Sequence, residues 1–280
     1  MLQALHHSWA PLASFCRLLE LALGHPAQAN AYFTPRSAQG LAVHHDTHDV
    51  FVLQVSGQKH WRVYEPVLEL PLRDQRYSKE LGGPGDPVED VVLAAGDAMY
   101  LPRGWLHDAL TTDSESLHLT IGVNVYTWLD AVKAAVEDCA GELDFRRSVA
   151  EDGELEADLL ELIGERLSPS DVTRRRRERF IRSRRPIRDG QLSQLRALET
   201  LTPESSLERR PTTVAELDFP SLSFEGKTVT FPDRVREEVE FVVRAEEPFS
   251  AADLPGDLDD ESRLVLARRL VREGFLRALD

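Results

Sequence analysis

Between residues 29 and 125 the chain is cut into short apolar runs by glycine and proline. The runs are 29–33, 50–55, 59–64, 91–93, 98–101 and 117–125, with turn groups such as Gly96-Asp97 and Pro102-Arg103-Gly104 between them. Strands this short, this closely spaced, can bury a face only by packing on one another, which specifies an all-β barrel or sandwich. Ser56-Gly57 reads as a turn, so 59–64 is expected to fold back on 50–55 as a second strand. Ahead of this region, residues 12–24 read as an amphipathic helix with Leu12, Phe15, Leu18, Leu19, Ala22 and Leu23 as its stripe. Gly24 and Pro26 stop it. Residues 67–89, centred on Gly82-Gly83-Pro84-Gly85, read as loop.

The pattern changes at Thr127. Trp128, Leu129, Val132 and Val136 fall on one helical stripe, and Leu155, Leu159, Leu160, Ile163 and Leu167 on another. Three or four helices and no strand are expected between 127 and 201, with apolar stripes that pairing with a second copy would cover. Residues 174–188 contain nine arginines. Two readings stand beside each other here, a contact with RNA or the ribosome and a solvated helix that balances an acidic chain. The second is preferred.

Residues 211–280 read as a small further unit. Short strands within 221–231 precede a helix carrying Val235, Val239, Val242 and Val243. A brief helix over 249–254 follows, then a last helix capped by Asp259 with Leu264, Leu266, Leu270 and Val271 inward. That order resembles a winged helix. With 16 acidic against 9 basic residues, the segment is a poor ligand for DNA and reads as a protein-interaction or packing module. The chain thus divides into a β-barrel over 1–126, a helical region over 127–205 and a C-terminal module over 206–280.

Composition sets the remaining bounds. A length of 280 residues with 42% hydrophobic content supports one large or two modest domains with a sizeable core. A net charge of −15 argues against general affinity for nucleic acid or anionic membrane. The two cysteines, Cys16 and Cys139, are far apart, as in a protein of a reducing, cytoplasmic compartment. No apolar run approaches the ~18 residues of a membrane span.

Chemistry concentrates at His44-His45-Asp46. In extended backbone, successive side chains alternate, so His44 and Asp46 share a face and His45 points away. An imidazole beside a carboxylate is two-thirds of the facial triad that binds Fe(II) with open positions, and His107 is the candidate third member. His48 is a weaker competitor. On 59–64, Lys59 shares a face with Trp61 and Val63; pointing inward, it needs an anion. Gly96, five residues, Pro102, one residue, Gly104, two residues, His107 reproduces the second signature motif of the cupin superfamily.

Together His44, Asp46 and His107 resemble the iron triad of the JmjC-type 2-oxoglutarate oxygenases. Ala29-Asn30-Ala31-Tyr32-Phe33-Thr34-Pro35, Asp49-Val50-Phe51-x-x-Gln54 and Gly57-x-Lys59-x-Trp61 are similar to the ribosomal oxygenase branch, the cupin-4 proteins. The close resemblance covers about residues 26–128. It implies a fold that is mainly β plus α: a double-stranded β-helix (jelly-roll, cupin) barrel, then dimerisation helices and a winged-helix-like module. It also implies Fe(II) on His44, Asp46 and His107, and 2-oxoglutarate with its far carboxylate on Lys59. Asn30 and Thr120 would lie beside that cosubstrate and His118 would serve as a packing or supporting histidine. The implied reaction uses O2 to hydroxylate a side chain of a ribosomal protein. Family members usually carry more chain before the segment resembling Met1–His6, which leaves two readings: the recorded start is wrong, or the barrel is trimmed at its first strands. Two other classes remain: a metal-binding cupin without turnover, acting as a binding module with no need of Lys59, and a regulatory protein that binds ribosome or RNA through the 174–188 stretch and the C-terminal module.

Overall fold

The structure is a computed structural model that describes residues 1–111, 113–149, 157–187 and 190–279. The chain forms two compact units, Met1–Val125 and Tyr126–Asp280.

In the first unit, α1 (Ala10–Leu23) precedes six strands: β1 (Ala27–Thr34), β2 (Asp49–Tyr64), β3 (Glu89–Ala94), β4 (Ala98–Leu101), β5 (Leu106–Leu110) and β6 (Ser116–Val123). Every ladder is antiparallel, and the whole is a cupin-like jelly roll. Its organising element is β2. Residues Asp49–Gly57 pair with β6 and β4, while Gln58–Tyr64 pair with β3 and β5, so one strand runs through both walls of the barrel.

That continuity corrects the hairpin expected at Ser56-Gly57. The strand does not reverse there. Its register against β6 slips between Gln54 and Ser56, and Gly57 takes φ +67°, so a bulge bends the strand from one wall into the other. A Cβ on Gly57 would lie 1.8 Å from the carbonyl oxygen of Glu115, so backbone fills the space a side chain needs. Gly57→Ala is therefore expected to destabilise the barrel by about 2–4 kcal/mol, read as a lower midpoint in chemical denaturation. An unchanged midpoint would show that the bend does not depend on glycine.

The barrel core is built from Val50, Val52, Trp61, Val63, Leu93, Leu101 and Ala109. Burying such side chains contributes about 1.5–3 kcal/mol for each large one. A second cluster joins Leu12 and Cys16 of α1 to Ala27, Ala29 and Ile121. Here the helix differs from its sequence reading. Leu12, Ala13, Cys16, Arg17 and Glu20 are its buried residues, whereas Phe15, Leu18 and Leu23 face outward. The reason is polar: Glu20 accepts from the backbone N–H of Ala27 at 2.8 Å and pairs with Arg17 at 3.0 Å, which draws that flank of the helix inward. Ahead of α1, Leu2 makes one antiparallel bridge to Ala31, with both N–H···O distances 2.8 Å.

The second unit contains α2 (Trp128–Asp138), α3 (Ala157–Glu165), α4 (Pro169–Ser183) and α5 (Gln191–Thr200). Then come β7 (Ser206–Arg209), β8 (Ala215–Asp218), β9 (Ser221–Phe224), β10 (Lys227–Thr230), α6 (Arg236–Arg244), β11 (Phe249–Ser250), α7 (Asp260–Glu273) and β12 (Leu276–Ala278). β8, β9 and β10 form one small sheet, and β11, β7 and β12 another. The sheets and α6 and α7 enclose one core that includes Leu207, Phe224, Val239, Leu270 and Phe275. Asp259 caps α7 by accepting from the Ser262 N–H at 2.8 Å. β7, β8 and β12 are not read from the sequence; β7 and β8 are four residues each and β12 is three.

The arginine stretch is largely α4. Arg174 pairs with Asp171 and Glu178, Arg175 with Asp138, Arg177 with Glu216, Arg179 with Asp130 and Arg182 with Glu178. These pairs tie α4 to α2 and β8. Leu155 and Arg188 lie outside the described residues.

Candidate metal centre and its cavity

Two histidines face each other across a single antiparallel bridge. The His44 N–H donates to the His107 carbonyl at 3.1 Å and the His107 N–H to the His44 carbonyl at 2.8 Å, which sets their side chains side by side with ring centroids 4.5 Å apart. Asp46, two residues on, returns to the same face. Its carbonyl accepts from the Gly104 N–H at 3.0 Å, so the turn of the glycine–proline motif is fastened to the His-x-Asp segment. Gly104 itself sits at φ +91°, where a Cβ would meet the Leu68 carbonyl oxygen at 2.6 Å.

Donor atoms of His44, Asp46 and His107 all lie within 4.8 Å of one another. Each imidazole places Nδ1 against a backbone carbonyl, His44 against Ala42 at 2.8 Å and His107 against Trp105 at 3.1 Å. Nδ1–H donation of this kind fixes the tautomer and leaves both Nε2 lone pairs for a metal. His107 Nε2 stands 3.8 Å from the Asp46 carboxylate. Burial first, and His44 next, pushes the His107 pKa down to about 4, so the ring is neutral and ready to ligate at ordinary pH. Two imidazoles and one carboxylate on one face suit an Fe(II)-type divalent metal with open positions.

The triad opens into a cavity of about 460 Å³ whose wall also carries Asn30, Tyr32, Thr34, Lys59, His118 and Thr120. Strand register explains the grouping: Asn30 opposes Thr120, Tyr32 opposes His118 and Thr34 opposes Ser116 across β1 and β6. Lys59 is 4% exposed, donates to Thr34 Oγ1 at 3.0 Å and lies over the Trp61 ring at 5.6 Å. No carboxylate among the described residues pairs with it. Burial without an anion pushes its pKa down to about 8.

Not every histidine of the segment joins the site. His45 is buried on the other side, with Nε2 against the Gln75 carbonyl at 3.1 Å. His48 lines the cavity, its ring where a Cβ on Gly122 would come within 2.4 Å, but it stands outside the three-residue donor group.

The JmjC domain family matches residues 4–131, the span that holds all of these groups. Residues 4–131 are a JmjC domain. Curated relatives include a Drosophila persimilis protein named bifunctional lysine-specific demethylase and histidyl-hydroxylase NO66, 50% identical over 94 residues, which are 33% of this chain and 14% of that protein. Ribosomal oxygenase 1 of Danio rerio is 37% identical over 179 residues, 59% of this chain and 30% of the relative. The chain therefore spans less than a third of the length of these relatives. Among solved structures, the Escherichia coli ribosomal oxygenase YcfD in complex with cobalt and 2-oxoglutarate superposes with a TM-score of 0.60 at 19% identity, covering 99% of this chain and 77% of that one. That likeness establishes a shared fold.

Two JmjC-domain residues at the cavity escaped sequence reasoning. Burial and then Asp46 raise the Tyr32 pKa, and the Thr120 and Asn30 side chains near its hydroxyl act to lower it. The signal was its place two residues after Asn30, on the same strand face. Asp108 is 2% exposed beside His107, where it accepts from Arg62 Nε at 2.9 Å and Gln39 Nε2 at 3.3 Å. Only the pairing of β2 with β5, which sets Arg62 opposite Asp108, makes it visible.

Proposed function

We infer that this chain is an Fe(II)- and 2-oxoglutarate-dependent dioxygenase that hydroxylates a side chain of a ribosomal protein. One observation carries the reading. A cavity that gathers two imidazoles with free Nε2 atoms and a carboxylate at one place also holds a buried, anion-free lysine. Such a pairing suits a ligand that chelates a metal at one end and presents a carboxylate at the other. 2-Oxoglutarate has that form, and E. coli YcfD has been seen with it and cobalt.

In this reading His44, Asp46 and His107 hold the metal, and Lys59 with Thr34 receives the far carboxylate. When bound, iron and 2-oxoglutarate supply the oxidising chemistry that places an oxygen atom from O2 on a substrate carbon. The chain orients and shields. The backbone bridge between His44 and His107 fixes the ligating nitrogens, Trp61 and Val52 exclude water from the wall, and the Asn30–Tyr32–Thr120 cluster lines the cosubstrate's flank.

The region 127–205 serves dimerisation, supported by a stripe on α2 that leaves Trp128 77% exposed with Leu129, Val132 and Val136 beside it. Residues 206–280 act as a winged-helix-like packing or interaction module. The working compartment is the cytoplasm, which suits two buried, unpaired thiols. No helix among the described residues is long and apolar enough to cross a membrane.

Incubation of the purified chain with Fe(II), 2-oxoglutarate and ribosomal-protein peptides is the test. The expected result is succinate together with a peptide heavier by one oxygen atom. Absence of succinate across the peptide set would sink the enzyme reading.

A further inference from the structure

A glycine borders the Lys59 end of the cavity. Gly40 lines it together with Lys59 and Thr34. A Cβ built on Gly40 would lie 3.8 Å from Lys59 Nζ and 3.8 Å from Thr34 Oγ1, with nothing closer among the described residues. That is ordinary van der Waals spacing, so the protein without a ligand has room for the atom. Gly40 is not one of the glycines with positive φ, so its backbone makes no demand for glycine either. What the missing side chain leaves is space beside two donors.

Lys59 gives one hydrogen to Thr34 Oγ1 at 3.0 Å, which leaves two on the ammonium, and the Thr34 hydroxyl keeps its own proton to donate. A carboxylate that accepts a hydrogen bond of ordinary length holds its carbon about 3.6–3.8 Å from the donor. A Cβ on Gly40 would thus stand as far from both donors as the carbon of a carboxylate bound to both. The segment around Gly40 is also fastened in place. The Ala38 N–H donates to Thr111 Oγ1 at 3.0 Å, and the Thr111 N–H to the Ala38 carbonyl at 2.9 Å. Gln39 bridges to Leu110, and its Nε2 donates to the Leu41 carbonyl at 3.2 Å and to buried Asp108 at 3.3 Å.

We propose that Gly40 is a specificity-determining residue: the space left by its missing side chain seats the far carboxylate and admits 2-oxo dicarboxylic acids to the Lys59 end of the cavity. The inference rests on reading the cavity as a 2-oxoglutarate site. A methyl group at position 40 takes the room that the carboxylate needs and leaves the metal ligands untouched. The fastened loop keeps it from moving aside.

The test uses the full chain loaded with Mn(II) and calorimetry with two acids: 2-oxoglutarate, and 2-oxobutyrate, which lacks only the far carboxylate. Gly40→Ala is expected to weaken 2-oxoglutarate about tenfold or more, the effect of one lost hydrogen bond to a charged group. Affinities for 2-oxobutyrate and Mn(II) should be unchanged, and the thermal midpoint of the unliganded chain should not fall. Gly40→Ser puts the same carbon in the space and is expected to show the same selective loss, which serves if the alanine variant fails to fold. Equal weakening of both acids would place the disturbance at the metal end, and unchanged 2-oxoglutarate binding would place the carboxylate elsewhere; either overturns the assignment. If the unaltered chain binds neither acid, the cosubstrate reading has failed and this inference falls with it.

Discussion

Replacing His107 with alanine is expected to lower Fe(II) affinity on the order of 100-fold or more and to reduce succinate formation to the metal-free background. His107 supplies one of three donors within 4.8 Å, and nothing else among the described residues can replace it, since His45 is turned away and His48 stands outside the group. The backbone bridge to His44 uses main-chain atoms and survives the substitution, so the fold should persist. His45→Ala gives the opposite result. It leaves the metal site intact but removes a buried ring, 4% exposed, so the loss appears in stability at about 1–3 kcal/mol. Anaerobic Fe(II) titration beside thermal denaturation separates the two. A His107→Ala variant with full turnover would remove that residue from the metal site.

Lys59→Met is expected to make the unliganded protein more stable and the cosubstrate site useless. The lysine is charged in water with an ordinary pKa of 10.5, and burial lowers this to about 8 in the fold. Between those values the unfolded chain holds a proton that the folded chain lacks, so stability rises with pH through that window. Below about pH 8 the fold carries the full cost of a desolvated ammonium, about 3 kcal/mol before the Thr34 hydrogen bond is counted. Methionine removes that cost and keeps the side-chain volume, for an expected gain of about 1–3 kcal/mol near neutral pH.

Ligand binding runs the other way. A carboxylate needs the ammonium, so 2-oxoglutarate affinity should fall as pH rises through about 8, and the methionine variant should bind about 100-fold more weakly below that pH, with the gap narrowing above it. Denaturation and 2-oxoglutarate titration over a pH series check both halves. A variant that is no more stable and binds 2-oxoglutarate normally would show that Lys59 has no part in the site. Residues held at a cost to stability in this way are expected where a ligand completes the charge balance.

The sequence by itself determined what depends on alternation along the backbone. His44 and Asp46 share a face while His45 does not, and Lys59 joins Trp61 and Val63, because side chains of extended residues alternate wherever the strand lies. The Gly96–His107 spacing worked for a similar local reason, since positive φ at Gly96 and Gly104 is a demand that few other residues meet. Tertiary structure decided what depends on which strand lies next to which. Ser56-Gly57 has the composition of a turn, yet both residues pair with β6, and the strand bends instead of reversing. The inward flank of α1 follows Glu20, whose partner Ala27 lies beyond the helix, so the apolar stripe alone misplaces it. Arg62 and Asp108, and likewise Tyr32, His118 and Gln54, are neighbours only after β1, β2, β5 and β6 have paired. Such contacts join residues tens of positions apart, and a periodic pattern read along one segment carries no information about its distant partner.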